Sequence, residues 1–184
     1  INSIFQYRFD EVTGALTPNS PASLTPESKD GPRHYCFHPN KDIVYFSNEQ
    51  GCSVTMYAIE KNGTLTSIQT VTTLPDGFTG KSSCSQIQIH PDGKFLYVPN
   101  RGHNTIASFS LDEMTGQMTA TGWADADPVP RAFSIDPTGQ FVYVAGLETG
   151  ILSAYRVDQG TGNLDKIATY QVGDVPMWVS IIEL

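Results

Sequence analysis

Basic residues are scarce in this chain. It carries 11 Lys and Arg against 19 Asp and Glu, a formal net charge of −8 over 184 residues. A protein that grips a phosphate backbone needs a basic face, so a nucleic-acid partner is excluded as the main ligand, although single arginines remain available for a small anion. Charge of either sign is sparse, at 16% of residues. No stretch approaches the ~18–20 consecutive apolar residues of a membrane-spanning helix. Cysteine is limited to Cys36, Cys52 and Cys84, an odd number with no CxxC spacing. That pattern excludes a full disulfide framework; each reads as a buried reduced thiol, which favours a reducing compartment and a cytoplasmic protein. No HxxxH or Cys/His cluster supports a metal site, and no Gly-rich loop leads into a helix to hold a nucleotide phosphate, so no cofactor is expected. The chain opens on Ile1 in mid-pattern, so the lack of a leader segment decides nothing.

What is abundant is turn chemistry: 16 glycines and 12 prolines, with aromatics at 10%. That composition suits short strands joined by tight turns better than a helical bundle. The strands repeat. Ile4, Phe5, Tyr7 and Phe9 alternate before Asp10 and Thr13-Gly14-Ala15-Leu16; Val54, Tyr57 and Ile59 precede Asn62-Gly63-Thr64-Leu65. Ile106, Phe109 and Leu111 precede Thr115-Gly116-Gln117-Met118, and Leu152, Tyr155 and Val157 precede Thr161-Gly162-Asn163-Leu164. Each phrase is a strand, a turn whose Gly takes a backbone angle that side chains resist, and a more polar strand. A second phrase interleaves with the first: His38-Pro39-Asn40, His90-Pro91-Asp92-Gly93 and Asp136-Pro137-Thr138-Gly139, each followed by an apolar strand. Fifty-two residues separate His38 from His90 and forty-six separate His90 from Asp136. A period of that length marks a solenoid or propeller.

Four antiparallel strands per unit predict an all-β fold, a β-propeller of four-stranded antiparallel blades. Full blades are expected at 32–74, 84–124 and 130–172, with the third and fourth strands of another blade at 3–26 and a lone inner strand at 176–184. In the first strands, Tyr35/Phe37, Ile87/Ile89, Phe133/Ile135 and Val179/Ile181 share an apolar face. His34/Cys36, Gln86/Gln88, Ala132/Ser134 and Trp178/Ser180 occupy the face expected to border a wet central channel.

Arg33 begins an inner strand, and Glu49 and Arg101 stand at equivalent positions just after second strands, so all three are expected at one mouth of the channel. Arginine is permanently charged and forked, suited to a carboxylate, a phosphate or a developing oxyanion. A structural Glu49–Arg101 ion pair between blades is the plainer reading of the same residues. Arg131 also opens an inner strand, in a blade that shows Gly146 where the others show Glu49 and Arg101. His34 and His103 are candidates for lining the mouth. His38 and His90 share a turn position with Asp136, which points to a turn hydrogen bond.

Gly31-Pro32-Arg33-His34, Asn48-Glu49, Leu74-Pro75-Asp76-Gly77-Phe78-Thr79-Gly80 and Asn100-Arg101-Gly102-His103, with the HPN, HPDG and DPTG turns, resemble the lactonase-type seven-bladed propellers. This is the family of bacterial 6-phosphogluconolactonase and fungal 3-carboxy-cis,cis-muconate lactonizing enzyme. The resemblance runs over essentially the whole chain and implies about half of a seven-bladed ring, its C-terminal half, with 176–184 closing the ring. It implies hydrolysis of a sugar lactone, most of all 6-phosphogluconolactone, or alternatively lactone formation from a carboxymuconate. It also implies catalytic roles for Arg33, Glu49 and Arg101, substrate contacts from Arg33, Arg101, His34, His103 and Arg131, and a catalytic histidine outside these residues. A non-catalytic binding or scaffold propeller is the reading from another class. A half ring leaves strand edges and apolar faces open, so either a missing N-terminal half or a homodimer is expected to cover them, and the chain alone is expected to be nearly inactive.

Overall fold

The computed structural model describes residues 2–182, and they form strands and turns with no helix. Strands β1 (Ile4–Phe9) and β2 (Leu16–Leu24) make a two-stranded sheet. Next come β3 (Pro32–Phe37), β4 (Ile43–Asn48), β5 (Ser53–Ile59) and β6 (Leu65–Thr72), one antiparallel meander. The second meander is β7 (Ser83–Cys84), β8 (Gln88–Ile89), β9 (Phe95–Arg101), β10 (Thr105–Leu111) and β11 (Met118–Asp125). The third is β12 (Pro130–Ile135), β13 (Phe141–Gly146), β14 (Ile151–Val157) and β15 (Leu164–Gln171). No helix among the described residues is long and apolar enough to cross a membrane.

The second meander has a split inner strand, β7 and β8, and the cause is a proline in its neighbour. Ser85 donates its N–H to the Pro99 carbonyl at 3.0 Å, but Pro99 has no N–H to return. The Ser85 carbonyl instead accepts the Ser47 hydroxyl of the preceding sheet at 3.3 Å. The ladder resumes at Gln88↔Tyr97.

Neighbouring sheets pack face to face. Tyr45, Val54 and Met56 of one meander meet Leu96, Val98 and Phe109 of the next in one apolar cluster. Phe95, Tyr97 and Ile106 meet Phe133, Val144 and Tyr155 in a second. A smaller cluster joins Ile4 to Val44 and Tyr57. Polar pins cross the same interfaces: the Tyr45 hydroxyl donates to the Gly116 carbonyl at 2.7 Å and that of Tyr97 to the Gly162 carbonyl at 2.9 Å. Both acceptors lie in the turns of the Thr-Gly phrase, so the repeated glycines are contact points between blades as well as turns.

The turn histidines work in the same way. His90 Nε2 lies 2.8 Å from the Gly139 carbonyl, and the His38 ring packs against Gly93. Gly139 has φ +72°, and a Cβ there would lie 2.3 Å from His90 Nε2. Gly139→Ala is therefore expected to destabilise the chain by roughly 1–3 kcal/mol through left-handed strain, with the clash against His90 adding to it. A denaturant midpoint unchanged from wild type would contradict this role.

Three features differ from the sequence reading. Gln86 and Gln88 do not border an open channel. The Gln86 carbonyl oxygen accepts the Phe133 N–H at 2.8 Å, and Gln88 accepts from Ile135 N–H and donates to the Phe133 carbonyl. Their amides thus fasten β8 and the residues just before it to β12. Tyr35 and Phe37, expected on the apolar face, are 57% and 58% exposed because the side they share, toward β1, is covered by no inner strand among the described residues. Residues 176–182, expected as the start of an inner strand, form none among the described residues, since a strand needs a partner ladder and none is offered; Glu183 and Leu184 lie outside the described residues.

Candidate active site

Arg33 leaves the start of β3, Glu49 follows β4, and Arg101 ends β9. Equivalent positions in a propeller share an end, and the hydrogen bonds show how closely these three converge. Glu49 donates its N–H to the Gly31 carbonyl at 2.8 Å, and its carbonyl accepts the Cys84 N–H at 3.1 Å. Arg101 pairs with Ser83 across the β7–β9 ladder. Arg101 Nη2 donates to Glu49 Oε1 and, at 2.7 Å, to the Cys84 carbonyl. Arg33 Nε stands 3.6 Å from Glu49 Oε2. One carboxylate is therefore held between two guanidinium groups from adjacent blades.

The residues just before Glu49 and Arg101 make this geometry rigid. Asn48 and Asn100 are fully buried. The Asn100 amide donates to the Thr73 carbonyl and accepts the Thr73 hydroxyl, both at 2.7 Å, while Asn48 donates to the Ser53 and Thr55 hydroxyls at 2.9 Å. A sequence reading centred on charge missed these anchors; the recurrence of Asn in Asn-Glu and Asn-Arg was the available signal. The pairings Pro32↔Asn48 and Pro130↔Gly146 also correct the third blade. Gly146 is the counterpart of Asn48, and Leu147, whose N–H bonds the Val129 carbonyl at 3.0 Å, is the counterpart of Glu49. That blade brings an apolar side chain where its neighbours bring charge.

Burial pushes the Glu49 carboxyl up, but the Arg101 hydrogen bond and the charges of Arg101, Arg33 and Arg131 together hold it below its ordinary value. Glu49 is ionised at neutral pH. Burial likewise lowers the half-buried His34 imidazole, helped by the charges of Arg33, Arg101 and Arg131 against that of Glu49, which leaves it neutral there. Burial and Arg101 lower the Arg33 guanidinium, which still remains a cation.

Because the folded-state value of Glu49 is depressed, its contribution to stability is present above the ordinary carboxylate range and is lost as pH falls through the depressed value. The stability gap between wild type and Glu49→Gln is therefore expected to shrink on acidification below about pH 4.3. Urea midpoints measured across that range check the sign; a gap that widens toward acid would contradict the ion-pair geometry.

The buried side-chain polar atoms without a partner among the described residues are Arg33 Nη1, Asn48 Oδ1 and Arg101 Nε. A buried cationic donor needs an acceptor, and an ordered water serves as one. Two of the three belong to the arginines that flank Glu49. The carboxylate between them is itself partly open, with the Glu49 side chain 31% exposed.

Other candidates spread around this centre. Arg131 makes no ion pair among the described residues and contributes through its field. His103 turns away, with Nδ1 2.7 Å from the Thr105 hydroxyl and its ring edge-on to Phe78 at 4.6 Å. A shallow cavity of about 390 Å³ beside Arg101 is lined by Lys81, Ser82, Ser83, Gly102 and Val129. No group of three or more His, Cys, Asp or Glu able to hold a metal occurs among the described residues.

The model of the lactonase seven-bladed β-propeller family matches residues 1–181. The chain belongs to that family. A 6-phosphogluconolactonase of Pectobacterium carotovorum subsp. carotovorum is 38% identical over 174 residues, covering 94% of this chain and 52% of the relative. A protein from Lactobacillus plantarum superposes with a TM-score of 0.91 at 28% identity, over 99% of this chain and 53% of that one. The periplasmic gluconolactonase of Pseudomonas aeruginosa superposes with a TM-score of 0.87 at 30% identity, over 94% of this chain and 49% of that one. The chain thus spans about half the length of the curated lactonase relatives it matches.

Proposed function

We propose that the intact propeller containing this chain hydrolyses a sugar lactone, 6-phosphogluconolactone first among them. The observation that carries this reading is the pair of partly exposed guanidinium groups, Arg33 and Arg101, on either side of an ionised Glu49. The names of the relatives, 6-phosphogluconolactonase and gluconolactonase, support it.

Ring opening needs an anchor for the substrate's anion, a directed water, and donors aimed at the oxygen that gains charge. Arg33 and Arg101 supply both the anchor and the donors. Glu49 accepts a hydrogen bond from the attacking water and sets its direction. A carboxylate held by two arginines is a weak base, so resting Glu49 removes protons poorly. When a substrate anion takes its share of the guanidinium donors, that hold weakens and the basicity of Glu49 rises as the substrate arrives. Arg131 adds positive field for an anionic group, and neutral His34 is available to accept a proton at the edge of the cluster.

The other blades of the ring complete the channel, whether from residues outside this sequence or from a second copy. A groove of about 490 Å³ lies between β1 and β3, lined by Phe5, Tyr7, Tyr35 and Phe37. This is where the inner strands of the blade to which β1 and β2 belong would sit. Covering it is expected to be a condition of activity, so the chain alone should turn over little or no substrate. The free thiols support placing the protein in a reducing compartment such as the cytoplasm.

The test is to offer the complete protein 6-phosphogluconolactone and, separately, 3-carboxy-cis,cis-muconate. Acid release from the lactone above its spontaneous rate supports the hydrolase. Conversion of the muconate without lactone hydrolysis would replace it with a cycloisomerase, and inertness toward both would favour a binding propeller.

A further inference from the structure

We propose that Cys52 and Cys84 are a modification site, a thiol pair at the blade interface that a hydroperoxide converts to a disulfide beside Glu49 and Arg101. The two residues are far apart in sequence and on adjacent sheets. Cys52 sits in the β4–β5 turn, three positions past Glu49, at φ 45°. A non-glycine residue in that region is uncommon, and it marks a conformation imposed by its surroundings. Cys84 ends β7 and pairs with Asn100. Thr73 ties both together: its N–H donates to the Cys52 carbonyl at 2.9 Å, and its hydroxyl lies 3.3 Å from Cys84 Sγ. The Cys52 and Cys84 thiols lie close enough to shift each other's titration, and the Ser82 side chain acts on Cys52 in the same way.

The surroundings divide the roles between the two sulfurs. Cys52 retains 7% of its surface and Cys84 none, so the reagent meets Cys52 first. The neighbouring Cys84 thiol lowers that of Cys52 against the opposing effect of burial, and Ser82 and the charge of Arg101 add to the lowering. The same proximity, together with burial, pushes Cys84 up. That division suits an attacking and a resolving cysteine. Cys36 has no such partner; burial pushes its thiol up to about 12, which makes it inert.

The chemistry balances with a hydroperoxide as the oxidant. The Cys52 thiolate attacks the terminal peroxide oxygen, the O–O bond breaks, and the alkoxide leaves as the alcohol after taking a proton. The Cys84 sulfur then attacks the sulfenic sulfur, the S–O bond breaks, and hydroxide leaves as water with the Cys84 proton. Two thiols are oxidised by two electrons, and the hydroperoxide is reduced to alcohol and water. The Cys84 peptide group holds both site residues, its N–H on the Glu49 carbonyl and its carbonyl on Arg101, so the new bond forms one peptide away from the charged cluster.

The test needs no substrate and is independent of what the site binds. The chain is treated with hydrogen peroxide, denatured, alkylated and mapped by peptide mass. The expected result is loss of two of the three thiols, a Cys52–Cys84 cross-linked peptide lighter by two hydrogens, alkylated Cys36, and full recovery with a dithiol reductant. In Cys84→Ser, Cys52 is expected to stop at a sulfenic acid that a cyclic 1,3-dione traps. A disulfide involving Cys36, cross-links between chains only, or Cys52 that stays reduced or runs on to sulfinic acid without cross-linking would overturn the proposal.

Discussion

Arg101→Ala in the complete protein is expected to lower kcat/KM for the lactone by about 10²–10³, the usual cost of removing one preorganised donor from a developing oxyanion. Arg101 is placed for a large effect because it does two things at once. It holds Glu49 and the Cys84 carbonyl through Nη2, and its guanidinium keeps some exposed surface beside the open carboxylate, within reach of a ligand there. Arg101→Lys is expected to recover little, since an ammonium is a compact point charge without the planar, delocalised array of donors that a guanidinium extends beyond Nη2. Steady-state kinetics with a parallel stability measurement checks the claim. A rate within a few fold of wild type would reduce the Glu49–Arg101 contact to a structural brace between blades.

Phe109→Ala is expected to cost about 3–5 kcal/mol of stability, the range for emptying a fully buried aromatic site. Phe109 is fully buried in the cluster where Tyr45, Val54 and Met56 of one blade meet Leu96 and Val98 of the next. The cavity would open between sheets that are fastened along both edges, by the Tyr45–Gly116 bond on one side and the Glu49–Arg101 pair on the other. Those edges restrain the collapse that would otherwise relieve it. Denaturant unfolding gives the number; a loss below about 1 kcal/mol would mean that the blades slide to fill the gap.

Much of this was legible in the residues because a propeller writes its geometry repeatedly. The alternation before each Thr-Gly or Asn-Gly turn fixed strand type and blade count. Equivalence of position sent Glu49 and Arg101 to the same end before any distance was known. Legibility failed where one strand depends on another. Nothing local says that Pro99 will deny Ser85 a donor and split the inner strand, because the missing N–H belongs to its neighbour. Gln86 and Gln88 read as channel-facing by alternation, yet long amides can reach the backbone of β12 instead. Gly146 was matched to Glu49 one residue out of register, and in a strand that error puts the residue on the wrong face. The Cys52–Cys84 pair had no sequence signal, since a turn and a two-residue strand bring it together. Residues 176–182 carry strand-like residues but no ladder, which shows that pattern needs a partner before it becomes structure.

At the centre of the proposed chemistry, the guanidinium groups of Arg33 and Arg101 read an anion on the substrate. The most direct measurement compares kcat/KM of the complete protein for 6-phosphogluconolactone and for the unphosphorylated gluconolactone, in wild type and in Arg33→Ala. A preference of about tenfold or more for the phosphorylated lactone, equivalent to ~1.4 kcal/mol, that collapses in Arg33→Ala is the expected result. Equal rates on both lactones, unchanged by the substitution, would contradict it.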